Sequence, residues 1–403
     1  MSVYLDHAAT TPMLPEAVQA YTEALVRTGN PSSLHSSGRA ARRAVEEARE
    51  QLAAALGARP SEVVLTAGGT EADNLAVKGL FWARRAHDPA RRRILVSAVE
   101  HHAVLDPAFW MAAHAGAEIV LLPVDSDGVL RVDALEAELE AHGDSAALLS
   151  VMWANNEVGA LQPLAEVVAL AHRHGVPVHA DAVQAVGQVP VDFAASGLDA
   201  LTVSGHKVGG PMGVGALLAR RGLDLTPVLH GGGQERGVRS GTLDTPSAAA
   251  FAVAVETAVA ARPASAPRLA ALRDRLVAEV RRVVPDAVLR GPADPSLRLP
   301  ANAHFTFPGC EGDSLLYLLD SAGVECSTGS ACQAGVPQPS HVLLAMGAGE
   351  DEARGALRFT LGHTSTDADV DTLVEVLPAA VERARAAGLS GRPRTADVAG
   401  GAR

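Results

Sequence analysis

Residues 176–207, VPVHADAVQAVGQVPVDFAASGLDALTVSGHK, hold two short strand-like runs, 176–180 and 200–203, each followed closely by polar residues. Five more such runs lie around them, at 62–66, 94–97, 118–122, 146–151 and 214–218. Helix-period patterns such as 70–86 and 163–174 fill most of the gaps. Strands alternating with helices predict an α/β fold, a mostly parallel sheet with helices on both faces. Ligands of such sheets sit at the carboxyl ends of the strands, so polar residues just after a strand mark where a site belongs.

Two residues of the opening stretch meet that rule. Asp181 ends the first strand, where a carboxylate suits the protonated ring nitrogen of a cofactor. An N-cap on the following turn explains Asp181 equally well. Lys207 closes SGHK (204–207) after the later strand. Among 34 basic residues only Lys78 and Lys207 are lysine, the other 32 being arginine. A chain that uses Arg where charge alone is needed keeps Lys where Arg cannot replace it, as in Schiff-base chemistry. Lys78, inside the helical stretch 70–86, reads as chance retention. Lys207, in a Gly-rich loop, is the candidate. The SxxK spacing lacks the SDN and KTG companions of β-lactamases, and no GxSxG elbow occurs.

Residues 65–74 (LTAGGTEADN) read as strand, Gly pair and helix start, where free N–H groups and the helix dipole suit a phosphate. Thr70 also reads as an ordinary N-cap, with Asp73 three residues on. The histidines give no metal set: His172 and His174 face different sides of a helix, and His101–His102 lack further ligands at useful spacing. His101 follows a predicted strand and reads either as a ring lying over a flat cofactor or as a satisfied structural His. Cys326 and Cys332 lie in 325–340 (ECSTGSACQAGVPQPS), and Cys310 at a turn. Three cysteines make no disulfide framework, and C-x5-C matches no common zinc or redox motif. A thiol in so polar a loop suggests reactivity, since a free Cys is usually buried.

A net charge of −12 gives no basic field for a phosphate backbone, and 3% aromatics give no stacking platform, so nucleic acid is not an expected partner. Hydrophobic residues at 48% supply a large core. No apolar run reaches the ~18–20 residues of a membrane helix. MSVYLDHAATTP at the start lacks the features of a signal peptide. The expectation is a soluble, cytoplasmic protein. AARPASAP at 260–267 reads as a composition break ending a large domain, 15–260. Residues 1–14 and 261–387 are expected to form a smaller α+β domain carrying the Cys loop, and 388–403 a disordered tail.

Together these segments resemble the cysteine desulfurases, pyridoxal-phosphate enzymes of the aminotransferase class V-like, fold-type-I group. The likeness runs from Tyr4 to about Ala386. It passes through YLDHAATTP (4–12), GNPSS (29–33), GGTEADN (68–74), EHHAVLD (100–106), NNEVG (155–159) and HADAVQ (179–184). It continues through SGHK (204–207), HGGGQERGVRSGT (230–242), STGSAC (327–332), PSHVLLAMG (339–347) and RFTLG (358–362). The resemblance implies a homodimer that takes sulfur from L-cysteine, releases L-alanine and passes a Cys332 persulfide to an acceptor protein. That acceptor would be an iron–sulfur scaffold or a tRNA- or cofactor-thiolation enzyme.

Carried over by motif, Lys207 would hold pyridoxal 5′-phosphate and move the Cα proton. Asp181 would bind the ring nitrogen, and His101 would stack on the ring and exchange protons. Asn156 and Gln184 would contact the ring substituents. Gly69, Thr70, Ser204 and His206 would hold the phosphate, reached also by Thr242 of the partner subunit. Arg358 would bind the substrate carboxylate, helped by Asn30 and Asn156, with no metal involved. Cys310 and Cys326 are read as structural. Val-Gly-Gly after Lys207 and Gln-Ala-Gly after Cys332 depart from the family pattern. A selenocysteine lyase, another fold-type-I reaction, or a non-catalytic sulfur-transfer scaffold are the alternatives.

Overall fold

The computed structural model describes residues 2–329 and 339–391. Strand β1 (Val3–Tyr4) opens the chain, followed by α1 (Pro15–Leu25) and α2 (Ser36–Ala55). The large sheet is then laid down as β2 (Val63–Thr66), α3 (Gly69–His87), β3 (Arg93–Ser97), α4 (His102–Ala115), β4 (Glu118–Leu122) and α5 (Val132–His142). It continues with β5 (Ala146–Ser150), α6 (Leu164–Arg173), β6 (Val178–Asp181), α7 (Phe193–Ser196), β7 (Ala200–Ser204) and β8 (Gly215–Ala219). After α8 (Thr245–Val283) come β9 (Val288–Arg290), β10 (Asn302–Thr306), α9 (Gly312–Ser321), β11 (Val324–Glu325), α10 (His341–Ala345), α11 (Glu350–Arg354), β12 (Ala356–Thr360) and α12 (Asp367–Gly391).

Seven strands pair in the order β2-β8-β7-β6-β5-β3-β4, all parallel except β8, which runs against both neighbours. The expected seven-stranded, mostly parallel sheet is therefore the one observed. Its central strands β5 (AALLS) and β7 (ALTVS) are buried at every position, as strands covered on both faces must be. A second core gathers Phe305, Phe307 and Phe359 with Val3, Leu5 and the inward face of α12. Here β12-β10-β9 form an antiparallel sheet, and β1 pairs in parallel with β11. The sequence reading lacked β1, β9 and β11, which have only two, three and two residues.

The segment 260–267 does not interrupt the secondary structure: α8 runs unbroken through Pro263 and Pro267, so the helix expected to begin at 268 begins at Thr245. Its first half packs Phe251 and Val255 into the large-sheet core, and its second half packs Leu269, Leu272 and Leu276 into the other. Apolar contacts at both ends hold the helix across two prolines that would break it in isolation. Helix α12 extends to Gly391, four residues into the expected tail, and 392–403 lie outside the described residues. Among the described residues no helix is long and apolar enough to cross a membrane.

A buried ion pair ties the 230–242 segment to the sheet. Arg49 on α2 grips both carboxylate oxygens of Glu235, at 2.8 and 2.7 Å, and donates to the Val63 carbonyl at 2.6 Å. Glu235 also accepts the Leu65 N–H at 2.9 Å. Removing one partner leaves an uncompensated buried charge, so Arg49→Met is expected to destabilise the protein by about 3–5 kcal/mol. Arg49→Met with Glu235→Leu should recover much of that loss in thermal melts, because no charge is then stranded.

Candidate active site

A cavity of about 370 Å³ opens where β6 and β7 end. At its floor, β2 turns into α3 through Gly68, whose φ of +147° suits glycine and which forms the N-cap. A Cβ on Gly69 would lie 3.1 Å from Val183 Cγ2 and 3.5 Å from Ser204 Cβ. The Gly pair therefore lets the helix N-terminus reach the strand ends, with first-turn N–H groups that have no intrahelical partner. Thr70 lies inside the helix and lines the cavity, so the alternative reading of it as the N-cap does not hold.

Asp181, the last residue of β6, accepts the Val183 N–H at 2.8 Å, so it anchors the following turn while lining the cavity. Burial pushes its carboxyl up to about 6, with Lys207 pulling the other way. Lys207 closes a short 3₁₀ turn after β7 and donates to the Ala8 and Ala9 carbonyls at 2.5 and 2.8 Å. Burial, reinforced by the Arg358 guanidinium, pushes its amine down to about 8. Gln184 donates to the same Ala8 carbonyl at 2.9 Å.

His101 is the N-cap of α4, its Nδ1 accepting the Ala103 N–H at 3.0 Å. Burial, helped by Lys207, pushes the ring down to about 4. The neutral ring accepts at Nδ1, so its proton sits on Nε2. His206, which meets Thr10 Oγ1 at 3.3 Å, is likewise pushed down to about 4 by burial. Arg358 on β12 is 4% exposed. It donates through Nη1 to the Asn156 carbonyl and through Nη2 to Asp6, both at 2.8 Å. Its buried Nε has no hydrogen-bond partner among the described residues.

Of the candidates, Gly69, Thr70, His101, Asn156, Asp181, Gln184, Ser204, His206, Lys207 and Arg358 all line this cavity. Asn30 does not: it is exposed, and its side chain accepts the Ser32 N–H at 2.9 Å. Thr242 is exposed and also outside the cavity of its own chain. Cys332 lies outside the described residues, although Ser327 and Gly329 shortly before it line the cavity. Cys310 and Cys326 are buried, and burial pushes Cys326 up to about 12. Lys78 lies over the Trp110 ring, 4.7 Å from its centroid. His172 pairs with Asp199 at 2.8 Å. Among the described residues no group of three or more His, Cys, Asp or Glu could hold a metal.

The sequence reading missed Asp6, the Ala8 and Ala9 carbonyls, and two buried acids, Asp73 and Glu100. Burial pushes both acids well above the usual carboxylate range, and each keeps one oxygen without a hydrogen-bond partner among the described residues. Asp73 was detectable as a carboxylate on a helix face otherwise made of Ala72, Leu75 and Ala76.

A model of the aminotransferase class-V family matches residues 3–373. The chain is 59% identical over 387 residues to the IscS-like cysteine desulfurase of Mycobacterium tuberculosis, spanning 96% of this chain and 98% of that protein. The chain belongs to the cysteine desulfurase family. A solved NifS-like protein superposes with a TM-score of 0.87 at 33% identity, over 95% of this chain and all of that one. Another structure, SspA in complex with cysteine, gives 0.75 at 31% identity over 90% of this chain and 99% of its own. Family members are pyridoxal-phosphate-dependent enzymes, and this chain is an enzyme of that class. The residues present fit the group: a helix N-terminus cleared by Gly69 for a phosphate, a buried carboxylate for a ring N–H, and a primary amine nearby.

The two perturbed groups have opposite pH consequences for the cofactor-free protein. Asp181, raised from 3.8 to about 6, gives stability present below pH ~3.8 and lost as pH rises through 6. Lys207, lowered from 10.5 to about 8, gives stability present above pH ~10.5 and lost as pH falls through 8. At pH 7 both are therefore charged at a cost. Cofactor-free Asp181→Asn should melt higher than wild type at pH 7.5 and show no gain near pH 4, by differential scanning calorimetry. Its affinity for pyridoxal phosphate should nevertheless fall.

Proposed function

We propose that this chain takes sulfur from L-cysteine, releases L-alanine and carries the sulfur as a persulfide on Cys332 to an acceptor protein. The observation supporting it most is one cavity lined by Lys207, Asp181, His101 and Arg358, with Ser327 and Gly329 at its rim. In this reading Gly69, Thr70, Ser204 and His206 hold the phosphate, and Asp181 pairs with the ring nitrogen. His101 stacks on the ring, while Gln184 and Asn156 meet its substituents. Pyridoxal phosphate, when bound, supplies a sink for the electron pair left at Cα.

The remaining steps belong to side chains. Arg358 fixes the substrate carboxylate, with Asn156 behind it. Lys207 takes the Cα proton, an exchange favoured by an amine whose pKa lies near the working pH. The Cys332 thiolate attacks the substrate sulfur; the Cβ–S bond breaks and the new S–S bond stays on Cys332. Cβ takes up a proton equivalent to the one Lys207 removed from Cα, with His101 assisting the exchange, and L-alanine leaves. A homodimer would bring Thr242 of the partner subunit to the phosphate, and its exposure in one chain is compatible with that. In this reading the large domain is 15–260, while 1–14 with 261–387 form the domain that carries the thiol. The setting is cytoplasmic, with an iron–sulfur scaffold or a thiolation enzyme as acceptor.

Lys207→Arg should abolish alanine release while the protein still folds, because Arg keeps the charge but not the chemistry of a primary amine. Cys332→Ser should bind cofactor and L-cysteine yet form neither persulfide nor alanine. Cys310→Ser and Cys326→Ser should remain active, and mass spectrometry after brief cysteine treatment reads the site directly. A persulfide on Cys326 or Cys310 in place of Cys332 would reject the assignment, and a keto acid product would favour a transaminase.

A further inference from the structure

Arg358 has a buried guanidinium whose five N–H donors are unequally committed. Nη1 is taken by a backbone carbonyl, Asn156 O, at 2.8 Å. Nη2 is taken by an acidic side chain, Asp6 Oδ1, also at 2.8 Å. Nε is buried without a hydrogen-bond partner among the described residues. A carboxylate docks on Arg through two adjacent donors, and most strongly where it can accept from both. With Nη1 tied to the backbone, the natural pair for an incoming carboxylate is Nε with Nη2. Asp6 already sits on Nη2, one of the two nitrogens of that pair.

The position of Asp6 follows from the backbone. The 3–7 segment is added as an extra strand: Leu5 N donates to Glu325 O at 2.8 Å, and Thr360 N donates to Leu5 O at 2.7 Å. Asp6 bridges Thr360 in parallel register, two residues from Arg358 on the same strand. Arg358 is fixed in turn by reciprocal backbone bonds with Ser327, at 2.6 and 3.2 Å. Neither residue can move far by backbone shift. Asp6 can yield by side-chain rotation, since its side chain is 20% exposed against 5% for Arg358.

We propose that Asp6 is a built-in competitor of the substrate carboxylate, a counter-ion that holds Arg358 between turnovers and gives up Nη2 when a free amino acid binds. This rests on the reading of Arg358 as the carboxylate anchor. A buried guanidinium without a counter-charge would be costly in the empty site, and Asp6 removes that cost. The same contact weakens binding of any α-amino acid by a uniform amount, product as well as substrate, because L-alanine keeps the carboxylate of L-cysteine. Uniform weakening speeds emptying of the site without touching the sulfur chemistry.

The test uses the cofactor-loaded full chain and three variants. Asp6→Asn and Asp6→Ser remove the charge, whereas Asp6→Glu keeps it. Absorbance titrations with L-alanine should give a dissociation constant roughly 3- to 10-fold lower in Asp6→Asn and Asp6→Ser, the difference between a charged and a neutral acceptor on Nη2. Asp6→Glu should stay close to wild type. Titration with cysteamine, which has no carboxylate, should be unchanged in every variant. The KM for L-cysteine should fall by the same factor as the L-alanine constant. Unchanged or weaker L-alanine binding in both neutral variants overturns the proposal, as does an equal change with cysteamine. If wild type releases no alanine from L-cysteine, the functional reading fails instead, and that outcome is separate.

Discussion

Two opposite charges held out of water at the ends of adjacent strands govern this molecule. Asp181 ends β6, and Lys207 follows β7 by three residues. Burial works against both, raising the acid and lowering the amine, and their mutual attraction only partly offsets it. Everything nearby serves to keep them there. Burial pushes the Asp73 and Glu100 carboxyls up, toward the uncharged form, while His101 and His206 stay neutral. The Ala8 and Ala9 carbonyls take the Lys207 ammonium, so the N-terminal segment is part of the site rather than a leader to it. Such unrelieved burial is what a site built around a large charged cofactor requires.

The cavity lies where two cores meet, and that division explains its composition. The large sheet supplies rigid strand ends and a helix N-terminus, suited to a phosphate and an aromatic ring. The second core supplies Arg358 and the 326–329 segment, with a guanidinium suited to a substrate carboxylate. The family match, residues 3–373, spans both parts.

Much of this was legible in the residues. The seven strands stood out because buried parallel strands are continuous apolar runs, and Lys207 stood out because 32 other basic residues were Arg. What was not legible has physical causes. Strands of two or three residues carry no periodicity, and their pairing is fixed by distant partners, as β1 is by β11. The α8 helix was hidden because prolines argue locally against a helix, and only its two apolar ends, in separate cores, argue for it. Asp6 was hidden because its partner Arg358 lies 352 residues away. Asn30 and Thr242 came from motif likeness alone, and one chain does not bring either to the cavity.

The unbroken α8 has a mechanical meaning. A helix sharing its ends between two cores works as a keyed shaft, fixing both the separation and the rotation of the parts it joins. Inserting one residue between Ala260 and Pro267 would advance the far end by about 1.5 Å and turn it by roughly 100°. Leu269, Leu272 and Leu276 would then face away from Phe305 and Phe359. Surface loops tolerate insertions, but this helical junction does not, because its two ends must keep their phase.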